Sequence, residues 1–229
     1  MHEFQLAAGL REEGNVAEAL VHVERALEID STNPRAHLLL GLIYLGRAGH
    51  AEAETHVRRA IELLEARTDF RSVLAEARNV LGTILIHQRQ YGEASTVLRQ
   101  SATDPLNTAP FYAWGNLGWA YYENHQYDDS LDALRQAVRI QSRFCVGHYL
   151  MGQTLFAMER FEPAEDALTL ALEADPRCEA YQEAWKLRGE TRARLGQNTD
   201  AVDDFERCVE LGGQTEAGRA CQRFLDTVN

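Results

Sequence analysis

Three columns of small residues recur along this chain, and few folds can use such a pattern. Ala7, Gly41, Gly82, Gly118, Gly152 and Gly189 form the first column. Twelve residues beyond each stand Ala19, Ala53, Ala94, Ser130, Ala164 and Ala201, and seven beyond those Ala26, Ala60, Ser101, Ala137, Ala171 and Cys208. Helices approach to about 8–10 Å only where the side chains at their crossing are small. From Phe111 to Phe161 the unit is seen twice, as Trp114, Leu117, Gly118 and Tyr121, then His148, Met151, Gly152 and Leu155, a spacing of 34 residues.

A helix–turn–helix unit of that period is the mark of the tetratricopeptide repeat. The expected fold is all-α: a right-handed superhelix of six such repeats plus a C-terminal capping helix, forming a single solenoid over residues 1–229. The repeats fall at about 1–33, 34–74, 75–110, 111–144, 145–181 and 182–214, with the cap at 215–228. Glu3–Glu12 and Val16–Glu28 read as the first pair around a Gly14-Asn15 turn, and Pro34 suits the first turn of the next helix. Thr68–Leu74 are seven extra residues that lengthen a helix. Pro105 and Pro110 make the segment after Ser101 an ordered elbow, because neither fits a helix interior. After Asp175-Pro176 the sixth repeat is read as Glu179–Leu195 and Thr199–Leu211, stopped by Gly212-Gly213. The cap carries Ala217, Ala220, Cys221, Phe224, Leu225 and Val228 on one stripe.

The net charge of −12 argues against nucleic acid as a partner, since neutralising phosphates needs clustered Lys and Arg. No run reaches the roughly 18 apolar residues of a membrane span. No catalytic signature is present: His50 and His56 share a helix without the i, i+4 spacing of a zinc site, and there is no phosphate loop or nucleophile elbow. Asp128, Asp129 and Asp132 read as a solvated helix face, and His148 as a packing residue. The reading is therefore non-enzymatic, with no catalytic residue, metal or cofactor.

The cysteines pair by position. Cys208 lies in the third small column and Cys221 on the inward stripe of the cap, while Cys145 and Cys178 sit at ends of one helical hairpin that lie on the same side. The expected bonds are Cys208–Cys221 and Cys145–Cys178, which suggest an oxidising compartment; four free thiols in a cytosolic protein are the alternative.

In such a solenoid the first helix of each repeat lines the concave face. Counted from the glycine column, the groove residues are Leu38, Leu42 and Leu45; Asn79, Thr83 and Ile86; Tyr112, Asn116, Trp119 and Tyr122; and Tyr149, Gln153 and Phe156. They describe an apolar, aromatic trough with a few amides, suited to an extended apolar or amphipathic protein segment. Adaptors that grip chaperone C-termini carry Lys and Arg there; only Asn79 and Asn116 match in part. Tight packing is expected to bury one or two of the thirteen.

Six repeats, the Asp104-Pro105-Leu106 elbow with Pro110 ahead of Asn116-Leu117-Gly118, and the apolar inner face resemble the tetratricopeptide pilotin lipoproteins of type IV pili, the PilF, PilW and Tgl family, most closely its gliding-bacterium branch. The resemblance covers essentially the whole chain. It implies a monomeric assembly chaperone at the periplasmic face of the outer membrane, whose partners are secretin subunits and which serves twitching or social gliding motility. It also implies membrane attachment only through an N-terminal lipid anchor that this sequence does not carry. A generic scaffold binding other protein segments is the alternative.

Overall fold

The computed structural model describes residues 2–67 and 70–228, apart from the Val228 side chain. Its described residues form thirteen α-helices and one 3-10 turn. The helices are α1 His2–Glu12, α2 Val16–Ile29, α3 Pro34–Gly46, α4 His50–Glu65, α5 Arg71–His87, α6 Tyr91–Thr103 and α7 Pro110–Glu123. They continue as α8 Tyr127–Ile140, α9 Cys145–Ala157, α10 Phe161–Glu173, α11 Gln182–Arg194, α12 Asn198–Gly212 and α13 Glu216–Val228. The fold is all-helical and built from tetratricopeptide repeats. Two compact units divide the chain, the first ending at Glu123 and the second beginning at Asn124.

In both units the small columns lie where helices meet. Ala19, Ala53, Ala94, Ser130, Ala164 and Ala201 are all 0% exposed, so no larger side chain fits those places. The glycine column works with the residue sixteen positions later. A Cβ on Gly41 would lie 2.4 Å from Val57, on Gly82 2.3 Å from Leu98, on Gly152 2.5 Å from Leu168, and on Gly189 2.9 Å from Phe205. Gly218 is a closer case that the columns do not mark, because a Cβ there would meet the Gly212 carbonyl oxygen at 2.0 Å where α13 crosses the end of α12.

The turns inside the repeats share one geometry. Gly14, Ala48, Arg89, His125, Glu159 and Gly196 all have positive φ, between 57° and 82°, and each stands seven residues beyond the small column. The left-handed residue lets the following N–H reach back five positions: Asn15 to Leu10, Gly49 to Tyr44, Gln90 to Leu85, Arg160 to Leu155 and Gln197 to Arg192, at 2.8–2.9 Å. This helix ending satisfies carbonyls that the helix itself leaves open.

Between repeats, side chains close the turns. Asn33 accepts from the N–H groups of Arg35 and Ala36, with Pro34 opening α3. At the elbow, Asp104 accepts from the Leu106 N–H, and Asn107 donates to the Ser101 carbonyl and accepts from the Ala109 N–H. Arg71–Leu74 extend α5 at its start, while Thr68 and Asp69 lie outside the described residues. The sixth repeat begins later than the periodicity suggests. Pro176–Ala180 form a 3-10 turn capped by Asp175, and α11 starts at Gln182 rather than Glu179. The turn is held by the Cys178 disulfide and by Trp185, whose indole N–H donates to the Glu179 carbonyl.

The cap packs as its stripe suggests. Cys221 is buried with Ala201, Phe205 and Cys208, and Ala217, Phe224 and Leu225 pack on that cluster. The Phe205 and Phe224 rings are 4.1 Å apart. Both disulfides lie in the second unit: Cys145–Cys178 spans 33 residues and Cys208–Cys221 spans 13.

Candidate functional site: the first-helix faces

Within the first unit α3, α5 and α7 are successive neighbours, and each belongs to a different repeat. Ten of the groove residues lie on them. Leu38 and Ile86 are 4% and 3% exposed and therefore belong to the core. Leu42 and Leu45 remain half-buried. Tyr112 is the most open large apolar side chain of α7, at 52% exposure, and its ring lies 4.1 Å from that of Phe111. Tyr122 and Trp119 are half-buried on the same helix.

The amides form a ladder. Asn116 on α7 donates to the Asn79 side-chain carbonyl at 3.0 Å and to the Thr83 hydroxyl at 3.2 Å, both on α5, and Thr83 donates to the Asn79 backbone carbonyl. A single Asn116 amide group is thus spent on fixing α7 against α5. The Asn79 amide N–H₂ and the Asn116 side-chain carbonyl are left as one donor and one acceptor, the pair that a peptide group of an extended segment requires. Beside the ladder, Asn79 and Tyr112 line a cavity of about 430 Å³ with Val73, Asn107 and Thr108.

Trp119 has a more structured setting than its place in a trough implies. Its indole N–H donates to Glu123, and its ring meets His87 edge-on at 5.3 Å. His87 in turn stacks on His50 of α4 at 5.0 Å. A second imidazole pair joins α3 and α4, His37 Nδ1 lying 3.1 Å from His56 Nδ1, with Tyr44 stacked on His56. Burial pushes both His87 and His56 below the usual imidazole value, and the neighbouring histidine adds to each shift.

Sequence reading missed both pairs, although one signal was available. His37, His148 and Trp185 occupy the same repeat position, four before the glycine column. Each donates a ring N–H to the carbonyl six residues upstream, that of Ser31, Ser142 and Glu179 respectively. The large residue of this column therefore ties the first helix to the preceding turn, and His148, 7% exposed, is a packing residue of this kind.

In the second unit the groove residues Tyr149, Gln153 and Phe156 all lie on α9. Tyr149 packs on Ala171, Leu172 and Ala184, with its ring 4.8 Å from Tyr181. Phe156 packs on Leu155, Ala164 and Ala167 and meets Phe161 edge-on at 5.5 Å. Both are half-buried, and Tyr149 reaches beyond its own repeat to Ala184 of α11. Tyr181 is pushed well above the usual phenol value, first by burial and then by the nearby Tyr149 and Glu183.

Among the described residues no three His, Cys, Asp or Glu side chains are placed to hold a metal ion. No helix of the described residues is long and apolar enough to cross a membrane. The most buried charged group, Asp204, accepts a two-point contact from Arg188 at 2.7 and 3.0 Å and another from Arg192. That cluster pins α11 to α12, a structural task.

Comparison with known proteins places these features. Family descriptions of the TPR repeat match residues 10–46, and of the tetratricopeptide repeat residues 111–144 and 149–214. The chain is 27% identical to anaphase-promoting complex subunit 7 of Homo sapiens over 210 residues, 90% of this chain but 35% of that protein. It thus spans about a third of that relative's length. It is 24% identical to the type IV pilus assembly protein PilF of Pseudomonas aeruginosa over 160 residues, 70% of this chain and 61% of that protein. The solved Pseudomonas aeruginosa PilF structure superposes with a TM-score of 0.76 at 19% identity, covering 97% of this chain and 96% of the other. The crystal structure of PilW, described as a widely conserved type IV pilus biogenesis factor, gives 0.82 at 17% identity over 95% and 96%. None of the matching repeat families is an enzyme family. Periodic columns, helix pairing and repeat matches agree that the chain is a tetratricopeptide-repeat protein, one that shares its fold with PilF and PilW.

Proposed function

We propose that this protein is a non-enzymatic assembly factor of the type IV pilus, a pilotin that binds secretin subunits through its first-helix faces and helps them insert and multimerise in the outer membrane. The observation that carries the reading is the end-to-end likeness to two pilus biogenesis proteins, 95–97% of this chain against 96% of theirs. The two disulfides suit the periplasm, where such bonds persist. The chain would act as a monomer on that face of the membrane, held there by a lipid anchor, as a member of the gliding-bacterium branch. The binding surface would centre on α7, where Tyr112, Trp119 and Tyr122 supply large contact area at low entropic cost and the Asn79–Asn116 ladder offers hydrogen bonds to the partner's backbone.

A complementation assay tests this. In cells lacking the protein, Tyr112→Ala with Tyr122→Ala should fail to restore secretin multimers while keeping wild-type helicity, because interface anchors of this kind lose more than about 2 kcal/mol on truncation. Asp128→Ala with Asp132→Ala, both exposed on α8, should restore them fully. Normal multimers with the folded tyrosine variant would move the working surface away from α7. The second reading, a general scaffold, is favoured by the likeness to anaphase-promoting complex subunit 7 over 90% of the chain; unchanged secretin assembly in cells lacking the protein would select it.

A further inference from the structure

The two disulfides of the second unit differ in their access to solvent. Cys208 and Cys221 are both 0% exposed, and Phe205, Ala217 and Phe224 pack in the same cluster under the cap. Cys178 is 1% exposed, but its partner Cys145 is half-buried at the first residue of α9, with its Sγ in an exposed contact to the Arg143 carbonyl. The chain flanking this bridge is open: Ser142, Arg143 and Val146 beside one cysteine, and Pro176 and Arg177 beside the other, are exposed. A thiolate in solution can therefore reach Cys145 Sγ while the helices stay folded, whereas the Cys208–Cys221 bond is reached only after α13 lifts away.

The accessible bridge holds a segment that has little hold of its own. Cys178 sits in the 3-10 turn joining α10 to α11, five residues long, and 3-10 hydrogen bonds are poorer than α-helical ones. The disulfide is the covalent tie of this turn to α9. At the end of the turn Tyr181 lays its ring 4.8 Å from that of Tyr149, on the candidate face of α9. The same bond that fixes the turn therefore fixes the tyrosine pair.

We propose that Cys145–Cys178 is a redox latch on the α9 face: oxidised, it holds Tyr181 against Tyr149, and reduced by a dithiol protein, it frees the 3-10 turn and uncovers Tyr149. The attacking thiolate bonds to Cys145 Sγ as the Cys145–Cys178 bond breaks, and the electron pair leaves on Cys178 Sγ, which takes up a proton. The second thiol of the reductant then displaces Cys145, so two electrons and two protons pass to the bridge and the reductant is left as a disulfide. The place of Cys145 at the N-terminus of α9 favours its thiolate and so steadies the reduced form. The latch does not depend on which protein the helices bind.

The test uses the whole oxidised chain in native buffer, treated with reduced glutathione or with dithiothreitol, quenched with acid and mapped by mass after maleimide labelling. Glutathione should be found on Cys145 rather than Cys178. Dithiothreitol should open Cys145–Cys178 at least about tenfold faster than Cys208–Cys221, with circular dichroism unchanged, because access limits the exchange. Hydrogen exchange should then quicken from Asp175 to Trp185 and along α9, and an oxidised Cys145→Ser, Cys178→Ser chain should show the same quickening. Equal reduction rates for the two bonds, reduction only together with loss of helix, or glutathione on Cys178 overturns the accessible latch. An unchanged exchange rate in the turn of the selectively reduced wild type, which needs no variant to fold, overturns its control of the α9 face.

Discussion

At the scale of single residues, the six left-handed positions are where backbone preference and sequence disagree most. Only Gly14 and Gly196 are glycine, while Ala48, Arg89, His125 and Glu159 hold the same conformation with a Cβ. A left-handed L-residue costs about 1 kcal/mol. Ala48→Gly should therefore stabilise the chain by roughly 0.5–1 kcal/mol in urea unfolding, part of the gain being lost to the freer unfolded chain; a destabilised variant would show that the turn is not under this strain. The histidine pairs supply a pH dependence. His56 and His87 have values lowered in the folded state, so between that lowered value and the unfolded value near 6.5 the unfolded chain binds more protons. Their contribution is complete above about pH 6.5 and is lost as the pH falls below it. Hydrogen exchange should show α4 and α5 opening more readily as the pH drops from about 7 towards 5, and His56→Gln with His87→Gln should flatten that slope. An equal slope in the double variant would assign it to other groups.

At the scale of elements, the crossing of two helices is decided by one glycine and the residue sixteen positions on. Gly152→Leu would drive a side chain into Leu168, whereas a Cβ added to Gly92, on the first turn of α6, would meet nothing within 4 Å. The first substitution should cost about 1–3 kcal/mol and loosen α9 and α10, while the second should be close to neutral. Similar melting temperatures for the two would mean the column is not the crossing point. These crossings could be read from the sequence because the requirement for small residues repeats at a fixed period, and each repeat is a fresh statement of it. The start of α11 could not, since the 3-10 turn at Pro176–Ala180 depends on a disulfide and on the Trp185 indole reaching Glu179. The candidate face was legible as a set of positions but not as a surface. Position in the repeat identifies Leu38 and Leu42 alike, and only tertiary packing buries the one and leaves the other half-open. The Asn79–Asn116 bond and the His50–His87–Trp119 stack link different repeats, at separations that carry no regular period.

At the scale of the whole molecule, the two units are held by different means. Every cysteine lies in the second, and the first relies on packing, the amide ladder and the imidazole pairs. Reduction should therefore lower the stability of the second unit by about 3 kcal/mol for the shorter bridge alone, on the chain-entropy account, and leave the first unchanged; segment-resolved hydrogen exchange with and without reductant would reveal a loss in both units if this division is wrong. Under mechanical load the same bonds become a limit on length. The bridges hold 33 and 13 residues out of the path of an applied force, which at roughly 3.5 Å per extended residue withholds about 160 Å of chain. Drawn out by its ends in an optical trap, the oxidised protein should stop short of its reduced form by that distance, and all of the missing length should come from the half that begins at Asn124.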